Sequence, residues 1–544
     1  MSRRNRRSNT QAAASPRTPH LVPALILLAA GLGAYAAVAL NAIVNGRLDF
    51  EEIGFLIKGW WYITGALQPF GSGDTATALP GYAYALGAAQ KMFGLSITTA
   101  RSAMVGLGLI NGVLLFLLCR KLTANTLASA AAVFVFLGSP ATSYSFSTAT
   151  PAAFVAFLHL LGLWLVLLSL GRSKPLFTVL MGAVLAAIAL TSADMWLPAV
   201  FLGIVYIGGV GRARFAHTAI LIVTVAALIA AAVYALPDAF TTYLLSQPLP
   251  LLALNALGMT PLGAPALPTF GLVRMVEDAI NGVLLPYSGT IVLCIVLFVL
   301  TLKGPRLLWA IPFYLAASLI SLVVFRAASC DTCVIISANQ VMAAGGVAAA
   351  VALAFLARWR RQKQGTGTPF IIGGATLALA LNCFGPVAAT RPELFFFPAE
   401  MVKQARPAAE LQDVTALMRV IGENIPGTER VLMLHKVPGV PYAMHMAGRR
   451  FAAVSINPLA SLKPLPANAT GPQREALLAL TERTGGWSGE TLRRWVEREY
   501  DVIILQDGLL ALDMTTRENL STAFAEAAVT DFRGAKLTIY RRKP

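Results

Sequence analysis

Long apolar runs separated by short charged or Pro- and Gly-rich stretches recur from residue 21 to residue 389, and the pattern then changes. A helix needs about 20 predominantly apolar residues to cross the hydrocarbon core of a bilayer. Eleven stretches are read as spans: 21–45, 98–118, 124–140, 151–170, 175–193, 195–210, 216–236, 287–303, 306–325, 334–357 and 369–389. The fifth and sixth are short for the task. Beyond residue 390 the apolar runs shrink to strand length at 429–435, 500–505 and 536–540, and amphipathic runs near 408–423, 473–484, 490–499 and 515–527 predict helices. Strands alternating with helices argue for a small α/β domain. The fold class is therefore a polytopic α-helical membrane protein with a C-terminal α/β domain. Its parts are a basic tail at 1–20, a membrane unit at 21–389 with long loops at 46–97 and 237–286, and a domain at 390–544 that begins in the Pro-rich RPELFFFPAE stretch.

Charge sets the topology. The N-terminal tail carries Arg3, Arg4, Arg6, Arg7 and Arg17, and alternate loops carry Arg120 and Lys121, Arg172 and Lys174, Arg212 and Arg214, Lys303 and Arg306, then Arg358, Arg360, Arg361 and Lys363. None of these segments holds an Asp or Glu, whereas the nine acids before residue 390 all fall in the opposite set of loops. By the positive-inside rule the N-terminus is cytoplasmic, and an odd number of spans puts the C-terminal domain outside. The first apolar run is long and has no cleavage pattern after it, so it reads as a retained span.

The net charge of +17 is thus a topology signal spread over inner loops, and nucleic acid is not expected as a partner. No internal repeat is visible, which counts against an inverted-repeat transporter. Cys119, Cys294 and Cys383 fall in spans as small packing residues, and Cys330 and Cys333 form a CDTC loop that reads as a local disulfide or two free thiols. The absence of a Walker loop, an HExxH helix or a Ser-His-Asp order removes ATPase, zincin and triad hydrolase readings, and no metal site is expected.

The chemistry concentrates in Leu48 to Gly65, where Asp49, Glu51 and Glu52 follow the first span and Trp60, Trp61 and Tyr62 come next. Carboxylates are costly within a bilayer, so they belong at headgroup level, with the aromatic residues predicted as an amphipathic membrane anchor. From the residues alone, a solvated acidic loop and a catalytic one are equally good readings. The loop then continues through Asp74, Pro80, Tyr82, Tyr84 and a second amphipathic segment to Phe93-Gly94-Leu95-Ser96 and Arg101.

That order resembles the first outer loop of the GT-C superfamily of membrane glycosyltransferases, in its bacterial branch similar to protein O-mannosyltransferases and the lipid A aminoarabinose transferase. Glu51-Glu52 matches the acidic pair, with Asp49 an alternative occupant if the register slips by two; Gly65–Pro69 matches the turn, and Phe93–Ser96 with Arg101 matches the closing phrase. The loop at 138–151 departs from the pattern, having no carboxylate. The resemblance implies a polyprenyl-phosphate-linked sugar as donor, a glycan, lipid or protein hydroxyl as acceptor, no cofactor, and a bacterial inner membrane with the C-terminal domain in the periplasm. It also implies Glu51 or Asp49 as general base and Glu52 as an orienting carboxylate. Arg101 and Arg326 are candidates for the donor phosphate, with Lys58 a surface partner about two helical turns from Glu51. Asp74, Tyr82 and Asp194 are candidates for the acceptor side. A transporter or lipid flippase, and a glycan polymerase or ligase using a diphosphate-linked donor, are the competing readings.

Overall fold

The computed structural model describes residues 21–45, 48, 50–70, 79–138, 140–170, 174–192, 195–210, 214–236, 240–241, 313–314, 316–318, 320, 407–427, 429–434, 437, 439–449, 500–506, 520–532 and 534–544. Among the described residues ten helices come first: α1 (Leu21–Asn45), α2 (Phe50–Thr64), α3 (Gly81–Phe93), α4 (Ile97–Thr123), α5 (Thr126–Gly138), α6 (Pro140–Ser147), α7 (Ala152–Ser169), α8 (Pro175–Thr191), α9 (Trp196–Gly209) and α10 (Arg214–Ala235). Four of them, α1, α4, α7 and α10, are long and apolar enough to cross a membrane, and α5, α8 and α9 are shorter apolar helices. The first seven apolar stretches of the sequence each hold one of these seven helices. Of the last four, only a few residues of 306–325 fall among those described, and the loop at 237–286 lies outside them apart from residues 240–241.

Helix ends follow local chemistry. Ser96 caps α4, its hydroxyl accepting from the Thr99 amide at 3.0 Å, and Arg120 and Lys121 occupy the last turn, where positive charge suits the carbonyl end. The chain leaves α4 through Ala124 in the left-handed region (φ 51°). Inside the bundle, Asn111 donates to the Ala153 carbonyl at 2.8 Å, and Thr178 bonds both Tyr206 and His217. Such bonds tie apolar helices together where burial alone does not favour one neighbour over another.

One of these ten helices differs from the sequence reading. The stretch Pro140–Ser147 was expected as part of a loop and folds as α6, packed on α1, α4 and α5. Ser147 donates to the Ser143 carbonyl within α6 and Ser143 to the Leu137 carbonyl of α5, so hydroxyls that suggest a loop are satisfied by helix backbone.

Helices α2 and α3 cross backbone to backbone. A Cβ on Gly87 would overlap the Gly59 carbonyl, and one on Gly59 would come within 2.6 Å of the Ala83 carbonyl oxygen. The crossing is locked by the buried Gln90 amide, which donates to the Leu56 carbonyl at 3.0 Å. Gly87→Ala gains about 1 kcal/mol of helix propensity. Overpacking against a backbone that cannot swing aside costs about 3 kcal/mol. A net loss of about 2 kcal/mol is therefore expected, read as a lowered melting temperature of the detergent-purified protein.

In the C-terminal region, helices α11 (Pro407–Asn424) and α12 (Gly439–Met446) accompany strands β1 (Val431–Leu434), β2 (Val502–Gln506), β3 (Phe524–Phe532) and β4 (Ala535–Arg542). The sheet has the order β1-β2-β4-β3, with β1 parallel to β2 and the other pairs antiparallel. Val502, Ile503, Ile504 and Leu505 are all buried, as suits a central strand. Three of the four strands lie where short apolar runs predict them. The expected helix at 515–527 is corrected: residues 520–523 are helical, but 524–532 form β3. Alanines favour a helix locally, but here they take the edge of the sheet through a hairpin in which Gly534 (φ 81°) supplies the turn and its amide donates to Asp531 Oδ1 at 2.9 Å. The predicted helices at 473–484 and 490–499 lie outside the described residues.

Candidate active site

Glu52 is the third residue of α2 and is fully buried; Arg101, in the second turn of α4, is 3% exposed. Their side chains meet as a fork. Arg101 Nε donates to Glu52 Oε1 at 2.7 Å and Arg101 Nη2 to Oε2 at 2.6 Å. Oε1 also accepts the Ala149 amide at 2.7 Å, from the turn between α6 and α7. Arg101 Nη1 donates to the Ala42 carbonyl at 3.0 Å. That carbonyl is in the last turn of α1, whose final carbonyls have no partner inside the helix and which has no basic residue of its own there. Arg101 therefore supplies α1 with the positive charge its C-terminal end favours, while Glu52 stands near the N-terminal end of α2, where negative charge is favoured.

Four pieces of chain are thus tied at one point: the end of α1, the start of α2, the second turn of α4 and the α6–α7 turn. A buried ion pair repays its desolvation only when its geometry is good and its remaining valences are filled. Short, charge-assisted bonds in a fork meet that condition. The arrangement holds the start of α2 against α1, α4 and the α6–α7 turn.

The other candidates divide into three groups. Glu51 sits in the first turn of α2 next to Glu52, although its side chain is outside the description. Asp49, Asp74, Asp194 and Arg326 lie outside the described residues. Tyr82 is buried in packing, its ring edge-on to Phe55 at 5.0 Å and tilted against Phe154 at 6.0 Å. Lys58 is half-buried further along α2. Arg101, which the resemblance puts near the donor phosphate, directs the contacts above into the protein. Among the described residues no three His, Cys, Asp or Glu side chains group as a metal site.

The aromatic run after the acids is corrected. Trp61 and Tyr62, expected to face lipid headgroups, are buried by protein. Tyr62 packs against Tyr84 of α3 at 5.5 Å, and Trp61 meets His445 of α12 edge-on at 6.3 Å. The amphipathic face of α2 is satisfied by α3 and the C-terminal region, and Trp60 is left half-buried.

Helix α12 also reaches α4: the Ile97 amide donates to the Tyr442 hydroxyl at 3.3 Å. Nothing in the first loop's sequence points to Tyr442, to the Ala149 amide or to the Ala42 carbonyl. Burial lowers the pKa of His445 to about 4. Between that value and the ordinary 6.5 the unfolded chain binds more protons than the folded one, so stability falls as pH drops through this window and is constant above it. The expected loss reaches about 3 kcal/mol. It is read from melting temperatures against pH, and His445→Asn should remove it.

The fold has counterparts among solved structures. No protein-family model and no curated protein matches the sequence. Among solved structures the chain is similar to the aminoarabinose transferase ArnT from Cupriavidus metallidurans bound to undecaprenyl phosphate, with a TM-score of 0.54, 12% identity, and 95% of this chain and 97% of that one covered. The apo state of the same enzyme gives the same TM-score of 0.54 at 12% identity and the same coverage of 95% and 97%. The Archaeoglobus fulgidus oligosaccharyltransferase tethered to an acceptor peptide aligns with a TM-score of 0.47 at 14% identity, covering 94% of this chain and 74% of that one.

Proposed function

We propose that this chain is an integral membrane glycosyltransferase that moves a monosaccharide from a polyprenyl-phosphate donor to an acceptor hydroxyl at the outer face of a bacterial inner membrane. The observation that carries the reading is the buried Glu52–Arg101 pair. On a fold shared with an enzyme crystallised with undecaprenyl phosphate, it ties the start of α2, where Glu51 stands, to the end of α1.

In the transfer, the bond from the sugar C1 to the phosphate oxygen breaks and the acceptor oxygen bonds to C1. The hydroxyl proton passes to Asp49 or Glu51, and polyprenyl phosphate leaves with the electron pair. A carboxylate within hydrogen-bond reach of the hydroxyl supplies general-base catalysis. Glu52, with both oxygens already accepting charged or backbone donors, serves as the frame. Arg326 is the candidate for the leaving phosphate, where a guanidinium stabilises developing charge. The membrane unit at 21–389 houses the chemistry, and 390–544 is a periplasmic domain that covers it.

The test is donor turnover. Proteoliposomes holding the purified protein are given a radiolabelled polyprenyl-phosphate sugar pool with lipid, glycan and peptide acceptors. Label moving into an acceptor, with release of polyprenyl phosphate, is the expected result. Movement of intact donor across the bilayer without bond cleavage would overturn it in favour of the flippase reading.

A further inference from the structure

We propose that Tyr442, on the C-terminal helix α12, is a positioning residue for the transfer reaction: its hydroxyl holds the first amide of α4 and so sets where Arg101 meets Glu52. The inference rests on the glycosyltransferase reading above. It starts from the amides that open every helix without an internal partner. In α4, Ser96 takes the Thr99 amide, and the Ile97 amide goes to Tyr442, a residue 345 positions away in sequence. The cap of α4 is therefore completed from another part of the chain.

The contact lies one helical turn from the site. Ile97 and Arg101 stand four apart and share a face of α4. Ile97, Ala100 and Met104 of that helix belong to the same buried apolar cluster as Tyr442, Ala443 and Met444 of α12. Burial raises the Tyr442 phenol pKa; the Ile97 hydrogen bond and the Arg101 guanidinium charge oppose that shift, so the ring is electrostatically coupled to the arginine of the pair. On its other side α12 lays His445 against Trp61 of α2. One short helix thus touches both elements that carry the ion pair, α2 with Glu52 and α4 with Arg101. A shift of α12 alters the spacing between them. Catalytic geometry tolerates little displacement, since about 1 Å can cost about 100-fold in rate.

The experiment is a double-mutant cycle on the full-length protein in proteoliposomes. Tyr442→Phe removes the acceptor and keeps the ring. Ile97→Pro removes the donor at the first helical position, where proline is tolerated, and the preceding Ser96 is already extended (φ −164°, ψ 157°) as proline requires. Transfer kinetics and hydrogen exchange of the first α4 turns are read for each variant. Tyr442→Phe is expected to lower kcat roughly 5- to 10-fold with the donor KM unchanged, the effect of one buried hydrogen bond, and to speed exchange at the start of α4 only. In the Ile97→Pro background the same change should alter kcat less than about two-fold, because the bond is already gone. Wild-type kcat in Tyr442→Phe, multiplying effects in the double variant, or exchange raised throughout the protein would each overturn the positioning role while leaving the glycosyltransferase reading intact. A wild-type protein that transfers no sugar would overturn both.

Discussion

Arg101→Met is expected to destabilise the protein by about 3–5 kcal/mol, because it leaves the Glu52 carboxylate buried with no counter-charge. The fully buried side chain cannot turn to water. The substitution also strips the Ala42 carbonyl at the end of α1 of its Arg101 hydrogen bond. Glu52→Gln is milder, since its amide oxygen can still accept from Ala149 while the NH2 group faces Arg101. The double variant Glu52→Met/Arg101→Met should recover more than half of the lost stability, as replacing a whole buried pair by apolar groups is often neutral. It should not recover transfer, because the start of α2, which carries Glu51, is no longer tied to α4. Melting curves and transfer rates on the three variants check this. A single Arg101→Met protein that melts within about 1 kcal/mol of wild type would mean the pair is solvated in solution.

The second large effect is on rate alone. Removing the general base is expected to slow transfer by about 100- to 10,000-fold. Asp49→Asn and Glu51→Gln keep size and hydrogen-bonding capacity, so neither should disturb the buried pair next to them. The contrast with Glu52 follows from geometry. Glu52 already accepts three donors and is enclosed, whereas a base must have an oxygen open to the acceptor hydroxyl. Only one of the two swaps should abolish transfer, and which one settles the register of the acidic motif.

How far the sequence carried the structure depends on the kind of contact. The apolar helices were legible because length and hydropathy are local properties, and β1, β2 and β4 because short apolar runs bounded by polar residues leave few other options. Helix α6 was not, since Ser and Thr look the same in a loop as in a helix that absorbs their hydroxyls. Trp61 and Tyr62 form an amphipathic face whose partner the sequence does not specify: an aromatic stripe that suits a lipid interface suits α3 and α12 equally well. Strand β3 lost its predicted helical character to pairing with β4.

At the site, Glu52 and Arg101 were both singled out from the first loop, but not as each other's partners, because 49 residues separate them and only the helix crossing brings them together. The Ala149 amide and the Ala42 carbonyl were invisible for a simpler reason. Every residue but proline offers the same amide, every residue the same carbonyl, and only the fold selects which one is used.

The most direct test of a first-loop carboxylate acting on a lipid-linked sugar is a side-by-side measurement of transfer from polyprenyl-phosphate sugar by wild type, Asp49→Asn and Glu51→Gln, at matched amounts of folded protein. We predict active wild type, one variant slowed at least about 100-fold and the other within about ten-fold of wild type. Wild-type rates in both variants would contradict a carboxylate base in this loop.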